Sequence, residues 1–278
     1  MIPPIARRFV AGETVASAMD HARQLDADGI GTILNLLGEH YDDRGPADED
    51  AEAYRRLLAE LSETDLDACV SVKPSQLGLD VGESVFRENL ERVVDAAADH
   101  GGFVWMDMED ASTTDATLEA FEANVERYPA MGVCLQSNLR RTREDLERLA
   151  DLPGKVRLVK GAYDEPADIA YTDKARVNEV FRSDLSYAFR EFDGGVAVAS
   201  HDPEMIDLAR TLHDDHGTDY EVQMLMGVRE DAQRELAEQG VTVYQYTPYG
   251  DRWLSYFYRR LMERKENVLF ALRAIVRG

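Results

Sequence analysis

Hydrophobic positions along this chain follow two alternating rhythms. Short apolar runs recur at 31–36 (GTILNL), 69–73 (CVSVK), 102–108 (GFVWMDM), 131–136 (MGVCLQ), 155–160 (KVRLVK), 195–200 (GVAVAS), 219–225 (DYEVQML) and 241–246 (VTVYQY), and these eight read as strands. Between them lie charged segments whose Leu, Val and Phe fall at helical spacing, for instance 83–99, 116–128 and 174–192. Thr142 ahead of 143–150 with Asp145 three residues on, and Asp202 ahead of Pro203 and Glu204, read as helix N-caps. Strand starts average about 30 residues apart, the length of one βαβ crossover. Eight such units predict an α/β fold of the (β/α)8 TIM-barrel type. A doubly wound open sheet is the structural rival, because periodicity alone does not distinguish a closed sheet from an open one. An extra helix at 13–25 precedes the first strand.

Composition narrows this picture. The 278 residues can bury a sizeable core, and no Pro/Gly/Ser-rich linker divides them, so 1–278 reads as a single domain. A net charge of −23 repels nucleic acid and anionic lipid, which excludes DNA, RNA and polybasic membrane docking. Acidic stretches such as 42–53 and 213–221, with Lys scarce, resemble surfaces built to stay hydrated in strong salt and hint at a halophilic source. Cys69 and Cys134 sit in apolar strand runs and read as buried thiols, with no disulfide framework and no metal-ligand spacing. There is no signal-peptide pattern and no apolar stretch near the roughly 18 residues that span a bilayer, so the expectation is a soluble, cytoplasmic protein.

Chemistry in a barrel gathers at the C-terminal strand ends, and here those positions are polar. They hold Lys73, then Asp107 with Glu109 and Asp110, then Gln136, Arg157 and Lys160, Ser200 and His201, and Tyr246. Burying unpaired ions costs several kcal/mol each, so a functional rim is the economical explanation. An internal ion-pair network among Lys73, Asp107, Arg157 and Lys160 is the structural alternative. Lys160 alone would suit a Schiff-base aldolase, yet 245–253 is aromatic and lacks the Gly-rich phosphate cup that a sugar-phosphate aldolase would want. Neither GxxxxGK[ST] nor a GxGxxG after a strand occurs, so any dinucleotide is held without a Rossmann turn.

The segments 7–14 (RRFVAGET), 70–78 (VSVKPSQLG), 104–118 (VWMDMEDASTTDATL), 133–142 (VCLQSNLRRT), 156–166 (VRLVKGAYDEP), 199–204 (ASHDPE), 221–229 (EVQMLMGVR) and 248–270 together resemble the proline dehydrogenase family nearly end to end. The resemblance implies a distorted (β/α)8 barrel with FAD across its mouth, L-proline stacked beneath the flavin, and a final helix, 252–272, covering the site. Residue by residue it implies catalytic roles for Asp107 and Arg157. It implies flavin contacts at Met108, Gln136, Lys160, Gly161, Ala162, Tyr163, Ser200, His201 and Gln223. A substrate-carboxylate clamp falls on Lys73, Arg259 and Arg260, with Tyr246 and Glu263 lining the pocket. It also implies a quinone as final electron acceptor, met at the inner face of the membrane, and a separate pyrroline-5-carboxylate dehydrogenase downstream, since the chain as read ends at Gly278.

Those roles agree with the chemistry. A flavin that gains a hydride builds negative charge at N1 and O2, which cations such as Arg157 and Lys160 stabilise. Gly161 and Ala162 are small and let a flavin approach the backbone. Arg259 and Arg260 offer the planar fork a carboxylate prefers, and Glu263, four and three residues on, is placed to hold them. Three positions depart from the family pattern: Ser137 and Asn138 replace Ala-Tyr, which bears on flavin packing, and Ser200 replaces Thr but keeps the hydroxyl. The alternatives are a flavin barrel of the methylenetetrahydrofolate reductase type, which needs a nicotinamide donor, and a non-catalytic proline-binding barrel.

Overall fold

The structure, a computed structural model, describes residues 6–254 and 256; Arg259, Arg260, Glu263 and nearly all of the final helix expected at 252–272 lie outside the described residues. All eight expected strands form: β1 (Gly31–Leu36), β2 (Ala68–Val72), β3 (Val104–Met106), β4 (Met131–Gln136), β5 (Lys155–Val159), β6 (Val196–Ala199), β7 (Tyr220–Leu225) and β8 (Val243–Tyr249). They pair in chain order and in parallel, and β1 pairs with β8 from Gly31 opposite Tyr244 to Leu36 opposite Tyr249. This closure settles the choice between barrel and open sheet, and it removes every unpaired strand edge. β3 is shorter than its apolar run, whereas β8 continues to Tyr249 because β1 supplies it with a partner over six successive residues.

Among the described residues eight α-helices accompany the strands: α1 (Val15–Ala27), α2 (Arg44–Ser62), α3 (Glu83–His100), α4 (Thr114–Val125), α5 (Thr142–Leu149), α6 (Lys174–Glu191), α7 (Pro203–His216) and α8 (Glu230–Glu238). The extra helix, α1, starts at a capping box in which Thr14 and Ser17 exchange bonds, and it packs across β1 and β8 at the closing seam. His21 Nε2 meets Gln245 Oε1 there at 2.7 Å. α2 arises inside the acidic stretch 42–53. Glu49 and Glu60 are exposed while Asp50 turns inward to accept from Tyr41 and Gln76, and Ala47, Ala51, Tyr54, Leu57, Leu58 and Leu61 form a buried stripe at the 3.6-residue period. Asp202 caps α7 as expected, accepting from the Glu204 N–H with Pro203 in the first turn. Thr142 does not cap α5: it is the first helical residue, and its hydroxyl donates to the Gln136 carbonyl at 2.5 Å.

The main core lies between sheet and helices, and a second cluster fills the barrel itself with Ile33, Cys69, Trp105 and Ala197. Trp105 occupies the centre because β4 offers Gly132 opposite it, where a Cβ would lie 2.3 Å from the indole ring. Burying such a ring contributes about 3 kcal/mol. The two thiols are buried and unlinked, and burial pushes Cys134 up to about 11, so it stays neutral. Among the described residues no helix is long and apolar enough to cross a membrane.

Candidate active site

At the mouth of the barrel the interior faces of β2, β3, β5 and β8 converge on one carboxylate. Asp107 follows β3 and faces inward like Trp105, two residues earlier. Its Oδ1 accepts from Arg157 Nη1 at 2.5 Å and from Ser71 Oγ at 2.6 Å, and its Oδ2 accepts from the Tyr246 hydroxyl at 2.5 Å. The Arg157 guanidinium also lies over the Trp105 ring, 4.3 Å from its centroid. Burial is the largest influence and works against the charge on Arg157, but Asp107 together with the smaller pull of Cys134, Tyr246 and Cys69 holds the group above its ordinary range. Tyr246 is pushed far up by enclosure and by Asp107, so it remains a phenol that donates. Arg157 has a side chain only 4% exposed, yet its Nε and Nη2 have no partner among the described residues.

The other rim cations do not join this pair. Lys73 donates to Asn35 Oδ1 at 3.1 Å, and Asn35 Nδ2 donates to the Ser71 carbonyl at 3.0 Å, so Lys73 reaches Asp107 only through intermediaries. Lys160 forms its own bridge with Asp202 at 2.7 Å. The four-membered network of Lys73, Asp107, Arg157 and Lys160 therefore resolves into one buried pair and two separate lysines.

Around this pair the remaining rim positions are tied to one another. Gln136 Nε2 donates to the Glu109 carbonyl at 2.7 Å while its Oε1 accepts from Ala162 N at 3.4 Å, so one amide joins the ends of β3, β4 and β5. Glu109 is buried and accepts from both the N–H and the hydroxyl of Ser75, each at 2.7 Å. Burial raises its carboxyl, and the Ser75 donors only partly counter this. Ser200 accepts from Asp202 N at 3.1 Å, and His201 Nε2 faces Leu225 N at 3.4 Å. Gln223 donates to Glu221 at 2.6 Å, leaving its Oε1 buried without a partner among the described residues. Met108 stands apart from these, with its side chain buried in the core between sheet and helices.

Gly161 is required by its backbone as much as by closeness to a ligand. Its φ is +112°, and a Cβ there would lie 2.1 Å from Asn138 Oδ1. Asn138, one of the departures from the family pattern, thus packs on the turn after β5, and its N–H donates to the Lys160 carbonyl at 3.0 Å. Beside this turn a cleft of about 300 Å³ is bordered by Lys160 and Lys174, by the acids Asp164 and Glu165, and by Tyr163 and Asn178. The rim residues missed in the sequence are small or already explained. Asn35 and Ser71 are uncharged polar residues within apolar runs, recoverable only by counting alternate positions back from Leu37 and Lys73. Lys174 and Thr172 lie in a segment whose helical rhythm disguised a cation facing the cleft.

The chain matches the family described as Proline dehydrogenase over residues 18–273. It is 38% identical to the proline dehydrogenase of Deinococcus radiodurans, across 99% of this chain and 91% of that protein. It is 34% identical to proline dehydrogenase 1 of Bacillus subtilis, across 98% and 91% respectively. Among solved structures it resembles proline utilization A from Bdellovibrio bacteriovorus inactivated by N-propargylglycine (TM-score 0.86, 23% identity, 93% of this chain). Proline utilization A from Corynebacterium freiburgense has a TM-score of 0.80 at 25% identity, also over 93% of this chain. The chain spans about a third of the length of those two proteins, 32% and 31%.

Proposed function

The chain belongs to the proline dehydrogenase family, and on that premise we propose that it oxidises L-proline to Δ1-pyrroline-5-carboxylate with FAD as cofactor and a quinone as final oxidant. The observation that carries this reading is the Asp107–Arg157–Tyr246 cluster at the mouth, in which a dry guanidinium keeps two donors unspent. The described residues fit a flavin. The free Oε1 of Gln223 suits the imide N–H of such a ring, and the adjacent free donors of Arg157 suit a single electron-rich atom on its edge. The cleft beside the turn after β5 carries Lys160 and Lys174 but also Asp164 and Glu165, and Lys160 is bridged to Asp202, so Lys174 is the cation it offers to a diphosphate.

FAD, when bound, supplies the hydride acceptor. Arg157, held in a water-poor interior, stabilises the negative charge that reduction places on the ring edge. Asp107 keeps the guanidinium in place and its charge balanced, while Ser71 and Tyr246 fix the carboxylate. Gln136 links the strand ends on which Ala162 and Lys160 are carried, with Ser200, His201 and Tyr163 completing the flavin side and Met108 supporting it from the core. Lys73 and Tyr246 are the described members of the proposed substrate pocket; Arg259, Arg260 and Glu263, the other residues assigned to it, lie outside the described residues.

The whole chain is taken as one catalytic unit in the cytoplasm, meeting its quinone at the inner face of the membrane and passing its product to a separate pyrroline-5-carboxylate dehydrogenase. Its net charge of −23 supports a halophilic setting. In that case the denaturation midpoint rises with KCl up to molar concentrations, and a midpoint that falls with salt counts against it. The decisive experiment for the activity is anaerobic mixing of the flavin-loaded protein with L-proline. Bleaching of the flavin band without a nicotinamide supports the proposal. A band that responds only to NADH points to the reductase alternative, and protein that stays colourless after incubation with FAD points to the binding barrel.

A further inference from the structure

Below the mouth, three interior side chains form a chain that runs up toward it. Lys155 Nζ donates to Glu221 Oε2 at 2.5 Å, and Gln223 Nε2 donates to Glu221 Oε1 at 2.6 Å. Glu221 and Gln223 are two residues apart on β7, so they share its inward face and Gln223 stands nearer the mouth. Both are 4% exposed. The nearby Tyr244 hydroxyl donates to Asp67 at 2.6 Å, so both Glu221 oxygens are committed to Lys155 and Gln223.

An amide side chain can turn either its oxygen or its nitrogen toward a given neighbour, and its shape hardly distinguishes the two. A carboxylate only accepts. Glu221 therefore draws the NH2 of Gln223 toward itself and sends Oε1 to the other side, where it has no partner among the described residues. A flavin imide edge carries one N–H between two carbonyls. That N–H needs an acceptor, and the Oε1 of Gln223 is a buried acceptor with no partner among the described residues.

We propose that Glu221, braced by Lys155, is a positioning residue that fixes the amide of Gln223 so that an acceptor, and not a donor, faces the flavin N3–H. The inference rests on the reading of Gln223 as a flavin contact. With the amide reversed, its NH2 would oppose the imide N–H, and two buried donors would share no acceptor. Glu221 touches neither flavin nor substrate: its effect passes through Gln223.

The test compares E221Q, Q223L and the double variant, each as FAD-loaded holoenzyme. Two quantities are read: the dissociation constant of FAD, from fluorescence of released flavin on dilution, and the N3 resonance of 15N-enriched FAD. The expected result is FAD affinity weakened at least tenfold in E221Q and in Q223L, with N3 moved in both. Adding Q223L to E221Q should then cost little more, because both remove the same contact. Additive losses would show that Glu221 acts only as scaffold, and the proposal fails. A loss in Q223L with E221Q unchanged keeps the Gln223 contact and overturns the positioning role. An unchanged N3 resonance and affinity in Q223L overturns both. Should E221Q not fold, K155M/E221Q removes both charges together and is read in the same way.

Discussion

Two cation–carboxylate pairs are stacked inside this barrel, and their cations come from the same strand, two residues apart. At the base, Lys155 meets Glu221 at 2.5 Å; at the mouth, Arg157 meets Asp107 at the same distance. The difference lies in what remains after pairing. Lys155 is a point charge about a third exposed, its side chain 34% accessible, and Glu221 spends both oxygens on protein. Arg157 is 4% exposed, and its planar fork gives one nitrogen to Asp107 while Nε and Nη2 stay uncommitted. A buried ion pair alone is therefore weak evidence of a site. Buried donors left over beside the pair are much stronger evidence.

The sharpest way to break the comparison is to remove the mouth cation. R157M is expected to lower kcat/KM for proline by about 10³-fold, the scale of a preorganised charge that acts on developing negative charge. R157K should recover little, because an ammonium cannot bond Asp107 and also present two coplanar donors. Steady-state kinetics alongside anaerobic flavin reduction at saturating proline separate binding from chemistry. Loss confined to KM would show that Arg157 only binds.

At the base the same operation should be felt in stability instead. K155M leaves Glu221 short of its counter-charge, and breaking a fully buried pair costs roughly 3–5 kcal/mol. With Lys155 a third exposed, solvent screens part of that, and about 2 kcal/mol is expected, read from the urea midpoint at constant m-value. Turnover should change far less than in R157M. An equal loss of activity in the two variants would erase the distinction between base and mouth.

How much of this was legible in the sequence depends on what each residue shows on its own. The strands were visible because a buried parallel sheet writes continuous apolar runs, and the rim was visible because charged residues end those runs. Pairing was not visible. Lys160 turns to Asp202 instead of Asp107, and Asp202 already looked fully explained as the cap of α7. Which strand ends meet across a barrel depends on its shear, a property of the closed sheet that no single segment encodes. Ser71 and Asn35 carry no charge and so left no mark in apolar runs, although Ser71 bonds Asp107 and Asn35 holds Lys73. The start of α2 was hidden for the opposite reason: abundant acids masked a stripe of Ala, Tyr and Leu.

A smaller effect, on pH dependence, sharpens the mouth further. Glu109 sits beneath the rim with its carboxyl raised by burial above the ordinary 4.5. The folded chain thus holds this proton more tightly than the unfolded chain does. Its contribution to stability is present in full below 4.5 and is lost as pH rises through the raised folded value. E109Q removes that titration. The stability of the parent protein relative to E109Q should be flat in acid and decline across this window, measured by denaturant midpoints at several pH values. A difference that grew with pH would mean that the Ser75 donors outweigh burial.

The smallest effect is expected where ion pairs are most numerous, on the outer helices. Arg87 of α3 bridges to Glu119 of α4 at 2.8 Å, a geometry almost as short as the interior pairs, but the two side chains are 39% and 53% exposed. In water the Coulomb gain is small and holding two long side chains still cancels much of it, so R87A should cost less than about 1 kcal/mol. The chain's net charge of −23 adds a second cost in the same direction, because deleting a cation increases the overall repulsion. Salt separates the two contributions. If the local bridge dominates, the deficit of R87A shrinks within the first few hundred millimolar of KCl as the pair is screened. If the global charge dominates, both proteins gain stability together as salt rises and R87A gains slightly more. A deficit as large as that of K155M and insensitive to salt would contradict the claim that enclosure, and not distance, decides what a pair in this protein is worth.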